Sequence, residues 1–306
     1  MSSPSEAPDA TPAPAGVIHD IGYRPYSGPR LGERAVAWAF FVTGLRNCFG
    51  LGRSGRSKIL PMGLLALMLL PALILVGVLV QAKNLLDLTE HIVPYSIYPL
   101  TTQLLISVFV AAQAPALISR DLRFRTITLY LARPARRTTY VLVRLASLTA
   151  ATFLLIGAPL LLLYVGGLLA DLPLRRETEL FLGAIVGAVL LAACLATLAA
   201  LVSALTIRRG LAVAAVIVVL LVSYTVVTTV QGISFETGHE TVGQVAGVFS
   251  PYTLVNGVQV FLFDSPEGTP TPPDSDAMGV FYLFATAFSI LGAVGAMLLR
   301  YRKVAG

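Results

Sequence analysis

The chain has 306 residues, of which 56% are hydrophobic and only 12% charged, and its formal net charge is +6. A soluble domain is about 45–50% apolar and about 25% charged, so this composition excludes an ordinary soluble enzyme and a disordered protein and requires a polytopic helical membrane protein. The basic residues flank apolar stretches and set orientation in a bilayer rather than forming a nucleic-acid patch. Two cysteines, Cys48 and Cys194, offer neither CxxC nor metal spacing. Arginine outnumbers lysine heavily amid abundant Ala and Leu, which hints at a GC-rich bacterial gene.

Residues 1–16, MSSPSEAPDATPAPAG, are rich in Pro, Ala and Ser and hold no apolar h-region, so they read as the disordered start of a cytoplasmic tail over 1–32 rather than a signal peptide. Within 33–49, Trp38, Phe41, Leu45 and Phe49 recur at helical spacing beside Glu33, Arg34 and Arg46. This predicts an amphipathic helix in the membrane interface, joined by a basic hinge to residue 58. Residues 59–306 form the transmembrane domain.

Six stretches reach the roughly 20 apolar residues needed to cross a bilayer: Ile59–Gln81, Pro99–Ser119, Val141–Ala170, Leu180–Leu205, Leu211–Val230 and Val280–Leu299. Apart from Arg144 near one end, none holds Asp, Glu, Lys, Arg or His; a charge at the helix centre costs about 2.5–3.5 kcal/mol on insertion scales. The fourth stretch carries Gly183, Ala184, Gly187, Ala188, Ala192 and Ala196, a small-residue ladder that permits close helix contact; plain Ala-rich composition is the alternative.

With six spans both termini share one side. All 22 basic residues except Lys83, Arg175 and Arg176 then fall on that side, with only Glu6, Asp9, Asp20, Glu33 and Asp121 among the 16 acids. The asymmetry predicts cytoplasmic termini. Before the last span, 245–263 is uncharged but interrupted by Pro251, Asn256 and glycine. It is expected to form short re-entrant helices, a backbone tolerated where protein covers it. The following 264–276 is a Pro-rich acidic loop.

Several motifs resemble chemistry and fail. Gly50, Gly52 and Gly55 match G-x-G-x-x-G, and Gly50 to Ser57 nearly matches a P-loop with Arg56 for Lys. Neither has the strand–turn–helix setting such motifs need. His239-Glu240 begins H-E-x-x-H, but Gly243 stands at the second His. The spans hold no paired acids and no Ser–His pair. No catalytic, cofactor or metal residue is therefore expected, nor an enzyme acting alone.

The loop 119–145 reads SRDLRFRTITLYLARPARRTTYVLVRL. Pro134 removes an N–H and restricts Arg133, ending a short helix. Leu129, Tyr130 and Leu131 then offer apolar anchors in a basic rim, the composition of a compact docking site; the alternative is arginines that only set topology. Asp121, Thr126, Arg133, Pro134, Arg137 and Tyr140 resemble the coupling loop of ATP-binding-cassette (ABC) transporter permeases of the ABC-2 type. Arg125 departs from the usual Gly and Arg144 from the usual Lys. Tyr23, Tyr26, Gly28 and Arg30 resemble the lead-in of one group of these permeases.

That resemblance implies an all-α permease subunit of an ATP-driven transporter in the cell membrane, acting as an exporter. A separate ATP-binding cassette subunit would carry ATP and Mg, and a second permease copy or a related permease would complete the pathway. Partner docking would fall to Asp121, Leu129, Tyr130, Leu131, Arg133, Pro134, Arg137 and Tyr140. A non-transporting membrane scaffold or assembly protein is the alternative. Polar side chains within spans lack partners in lipid, so Gln103, Ser107, Gln113, Tyr224, Thr225, Thr228 and Thr229 are expected to face the pathway or a subunit interface, or else to make ordinary interhelical hydrogen bonds.

Overall fold

The computed structural model describes residues 28, 32–52, 54–86, 91–118, 137–206 and 208–304. Among them the chain is all helix, with no strand. A bilayer offers no water to the backbone, and a helix satisfies its own N–H and C=O groups. Helices are α1 (Glu33–Cys48), α2 (Arg56–Leu86), α3 (Tyr98–Thr101), α4 (Gln103–Leu117), α5 (Arg137–Leu169), α6 (Leu174–Leu205), α7 (Arg209–Glu236), α8 (Glu240–Gly247), α9 (Pro251–Phe263) and α10 (Asp276–Val304).

Five of these, α2, α5, α6, α7 and α10, are long and apolar enough to cross a membrane, and the chain is a multi-pass membrane-embedded protein. Their outward faces confirm the solvent. Leu67, Leu70 and Ile74 on α2, Val218, Val222 and Val226 on α7, and Phe284, Phe288 and Leu291 on α10 are all exposed. Such continuous apolar faces suit lipid and not water.

The second apolar stretch is shorter than expected as a single helix. It breaks at Thr102 into α3 and the 15-residue α4. Thr101 and Thr102 both donate their hydroxyls to the Tyr98 carbonyl, at 2.8 and 2.9 Å, and so compete with the backbone ladder for it.

The segment expected at 245–263 begins earlier, at Glu240, and is two helices, α8 and α9, bent by 110°. Pro251 occupies the first turn of α9, where its missing N–H costs nothing. The pair enters directly after α7 and leaves at Asp264, which lies beside the start of α6. Both ends therefore lie at one end of the bundle, as a re-entrant hairpin does. We call that end acidic, for Glu177, Glu236 and Asp264, and the opposite one, with Arg144, Arg208 and Arg300, basic.

At the centre stands α6, packed on α4, α5, α9 and α10. Gly183, Ala184, Gly187, Ala188, Ala192 and Ala196 are all buried, so the small-residue ladder is a contact seam. The re-entrant helix α9 lies in it: a Cβ on Gly187 would fall 2.0 Å from Gln259 Nε2, and one on Gly183 3.1 Å from Phe263 Cβ.

Helix α1 runs beside the start of α5. Its packed side is formed by Gly44 and Cys48, which are buried, while Trp38 is 66% exposed and stacks on Phe41 at 5.5 Å. Close approach selected the small residues for the contact and left the tryptophan outside, and Phe49 lies just beyond the helix.

Candidate functional site

Three places carry polar chemistry, and the first is the basic end. Of the expected docking residues, Asp121, Leu129, Tyr130, Leu131, Arg133 and Pro134 lie outside the described residues. Arg137 opens α5, and Tyr140 sits on its first turn. Tyr140 is 4% exposed: its ring lies 6.2 Å from that of Tyr301, and the Arg144 guanidinium lies 5.3 Å from its centroid. It therefore fixes the third span to the last one rather than offering an open contact. Beside it, Thr139 Oγ1 donates to Glu33 Oε1 at 2.8 Å. Further along, Ser147 Oγ bonds the Phe41 carbonyl at 3.1 Å and the Val143 carbonyl at 2.8 Å. The contacts advance in the same direction on both helices, so α1 follows α5 as one body.

The second place is the bundle interior. The Tyr252 hydroxyl of α9 pairs with Ser107 Oγ at 2.7 Å and donates to the Gln103 carbonyl at 3.0 Å. Tyr224 meets the Tyr252 ring edge-on at 6.0 Å. The structure thus brings Gln103, Ser107 and Tyr224 together around a tyrosine absent from the expected set. Gln113 is buried on the same helix α4. Thr225, Thr228 and Thr229 do not join them. Their hydroxyls bond carbonyls of their own helix, at Leu221 (2.9 Å), Tyr224 (2.9 Å) and Thr225 (2.8 Å), and Thr225 and Thr229 are exposed. A threonine in a membrane helix satisfies itself this way, so spacing alone does not make it a pathway residue.

The third place, at the acidic end, went unread in the sequence. Glu177, in the first turn of α6, is 2% exposed. Its Oε2 accepts from the Tyr95 hydroxyl at 2.5 Å and from His91 Nε2 at 2.8 Å. Burial foremost, then the hydrogen bond to Glu177 and its charge, push the Tyr95 phenol well above its ordinary pKa, so Tyr95 stays a donor. Gly167 provides the room: a Cβ there would lie 2.7 Å from His91 Nε2. His91 and Tyr95 lie four residues from one another but more than 80 residues before Glu177, so no local spacing announces the cluster. Among the described residues no group of three or more His, Cys, Asp or Glu side chains could hold a metal ion.

No protein-family model matches the chain, and no curated protein sequence matches it.

Proposed function

We propose that the chain is the membrane-spanning permease subunit of an ATP-driven transporter of the ABC-2 type, an exporter in the cell membrane with both termini in the cytoplasm. The observation that carries this reading is the 119–145 segment, whose Asp121, Thr126, Arg133, Pro134, Arg137 and Tyr140 follow the coupling-loop pattern and whose last residues enter α5. A separate ATP-binding cassette subunit, with its ATP and Mg, docks on that loop and on α1. A second copy or a related permease completes the pathway.

The contacts at the basic end support the mechanical half of this reading. A push on the loop enters α5 at Arg137, and α1 is fastened to the same helix through Glu33–Thr139 and Phe41–Ser147. Both docking elements then move with one span, as a two-state switch driven by nucleotide needs. The motion reaches α6 through its contact with α5, and the re-entrant helix α9 through its contact with α6. The charge asymmetry supports the orientation.

Co-purification with an ATPase encoded beside this chain, followed by substrate-stimulated ATP turnover in the complex, tests the function. A stable complex whose turnover responds to substrate supports it. A chain that binds no such subunit, or leaves its turnover unaltered, contradicts it.

A further inference from the structure

The Glu177 cluster forms one wall of a cavity of about 130 Å³ at the acidic end, lined also by Ser96, Arg176, Asp264 and Ser265, with Pro94, Leu180 and Pro266 as its apolar part. Both hydrogen bonds that Glu177 receives, from His91 and Tyr95, end on Oε2. Oε1 takes neither, and a carboxylate has acceptor sites on both oxygens. The carboxylate is thus held through one oxygen, with accepting capacity left on the other. Around the cavity one guanidinium faces two carboxylates, Glu177 and Asp264, which favours a positively charged guest. Among the described residues no group of three or more His, Cys, Asp or Glu side chains is placed to hold a metal ion, which leaves an organic cation as the guest. Its size is bounded as well, since a cavity of about 150 Å³ takes benzene, a guest of six heavy atoms.

We propose that this cavity binds the ammonium group of a small amine of ethanolamine size. The ammonium N–H donates to Glu177 Oε1, and its short carbon chain lies against Pro94, Leu180 and Pro266. His91 and Tyr95 are positioning residues: they fix the carboxylate without being needed as contacts to the guest. The site is separate from the docking loop, and its existence does not depend on the transport reading. The same chemistry is offered by a free amine and by the headgroup of an aminophospholipid.

The test is the thermal unfolding of the purified full chain in detergent with ethanolamine hydrochloride as probe, against sodium chloride at equal ionic strength and ethylene glycol as the uncharged analogue. Ligand that binds only the folded state raises Tm with saturation, here by a few degrees at about 100 times Kd. Ethanolamine is expected to do so and the two controls are not. Glu177→Gln should weaken the response at least tenfold. Ser265→Leu, which fills the cavity and leaves His91, Tyr95 and Glu177 in place, should abolish it, and this variant decides the matter if Glu177→Gln does not fold. Nanodiscs then separate the sources. A response lost in phosphatidylethanolamine but kept in phosphatidylglycerol assigns the site to the lipid headgroup, and an equal response in both assigns it to the free amine. No saturable shift in the wild type, or the same shift in the wild type and Ser265→Leu, overturns the proposal.

Discussion

Ser147 fills the notch that Gly44 leaves on α1. A Cβ on Gly44 would lie 2.5 Å from Ser147 Oγ and 2.8 Å from its Cβ, and the same hydroxyl donates to the Phe41 carbonyl at 3.1 Å. The contact is steric and polar at once, so any side chain on Gly44 must push the helices apart. Gly44→Ala should cost about 1–3 kcal/mol, the usual range for overpacking. Ser147→Gly in the same chain should recover most of that loss, although Ser147→Gly alone is itself destabilising. Unfolding of the two single variants and the double variant measures this coupling; additive losses would mean that the two residues do not meet.

The acidic-end cluster gives a prediction with a defined sign. Tyr95 has a folded-state pKa raised above its ordinary value, which is about 10. Its contribution to stability is whole below that pH and is lost as pH rises above it toward the folded value, because the unfolded chain releases the proton first. Tyr95→Phe should lower Tm at neutral pH, by the about 0.5–1.5 kcal/mol of a single hydrogen bond or somewhat more for its charged acceptor. It should also flatten the fall in Tm between pH 9 and pH 11 relative to wild type. Glu177→Ala should cost more, since it removes the shared acceptor of both groups; Tyr95 and His91, 2.7 Å apart, can then satisfy only one bond between them, which leaves about 1–3 kcal/mol for one unsatisfied group. An unaltered alkaline slope in Tyr95→Phe would contradict the assignment.

Tyr252 ties the re-entrant helix to α4. Tyr252→Phe removes both its bond with Ser107 and its bond to the Gln103 carbonyl, whereas Ser107→Ala leaves the latter in place. Interhelical hydrogen bonds in membranes average about 0.6 kcal/mol, so Tyr252→Phe should cost about 1 kcal/mol and Ser107→Ala about half of that. Gly187→Leu should cost more than either, as it evicts Gln259 from the α6 groove. Reversible unfolding in mild detergent ranks the three; an order reversed between Tyr252→Phe and Gly187→Leu would mean that the groove is looser than described.

The architecture was legible because lipid makes its demands in composition. The apolar runs around Met68, Leu148, Leu195, Leu220 and Val294 lie within α2, α5, α6, α7 and α10, and Pro251 and Asn256 marked the re-entrant pair. What was not legible depended on long-range contact or on local competition. Glu177 read as one more loop acid because His91 and Tyr95 lie far away in sequence. At the Thr102 break, Thr101 and Thr102 return their hydroxyls to the Tyr98 carbonyl, a local detail that an apolar count does not register. Thr225 and Thr229 share their apolar stretch with Tyr224 as polar residues, yet only Tyr224 reaches Tyr252. The α1 contact used Gly44 and Cys48 because closeness, not hydrophobicity, chose its face.

Orientation is open to direct chemistry. Cysteines introduced near Pro270, in the acidic-end loop after α9, should react with an impermeant maleimide from outside intact cells. Cysteines near Arg136 should react only after permeabilisation. Labelling of both from one side would contradict the proposed orientation.

The docking loop is where the account stands or falls. In the proposed function, Tyr130 would offer an apolar anchor and Arg133 a fork for a carboxylate on the partner. Truncating such an anchor commonly costs about 2 kcal/mol or more, roughly a thirtyfold loss of affinity. An arginine that pairs through both nitrogens does not tolerate lysine, whereas one that only marks topology does. The most direct measurement is the affinity of the purified, fully inserted chain for its ATP-binding subunit, compared between the wild type, Tyr130→Ala and Arg133→Lys. The account predicts that each variant inserts normally and binds at least tenfold more weakly. Wild-type affinity in both variants would contradict the assignment of this loop as the coupling site.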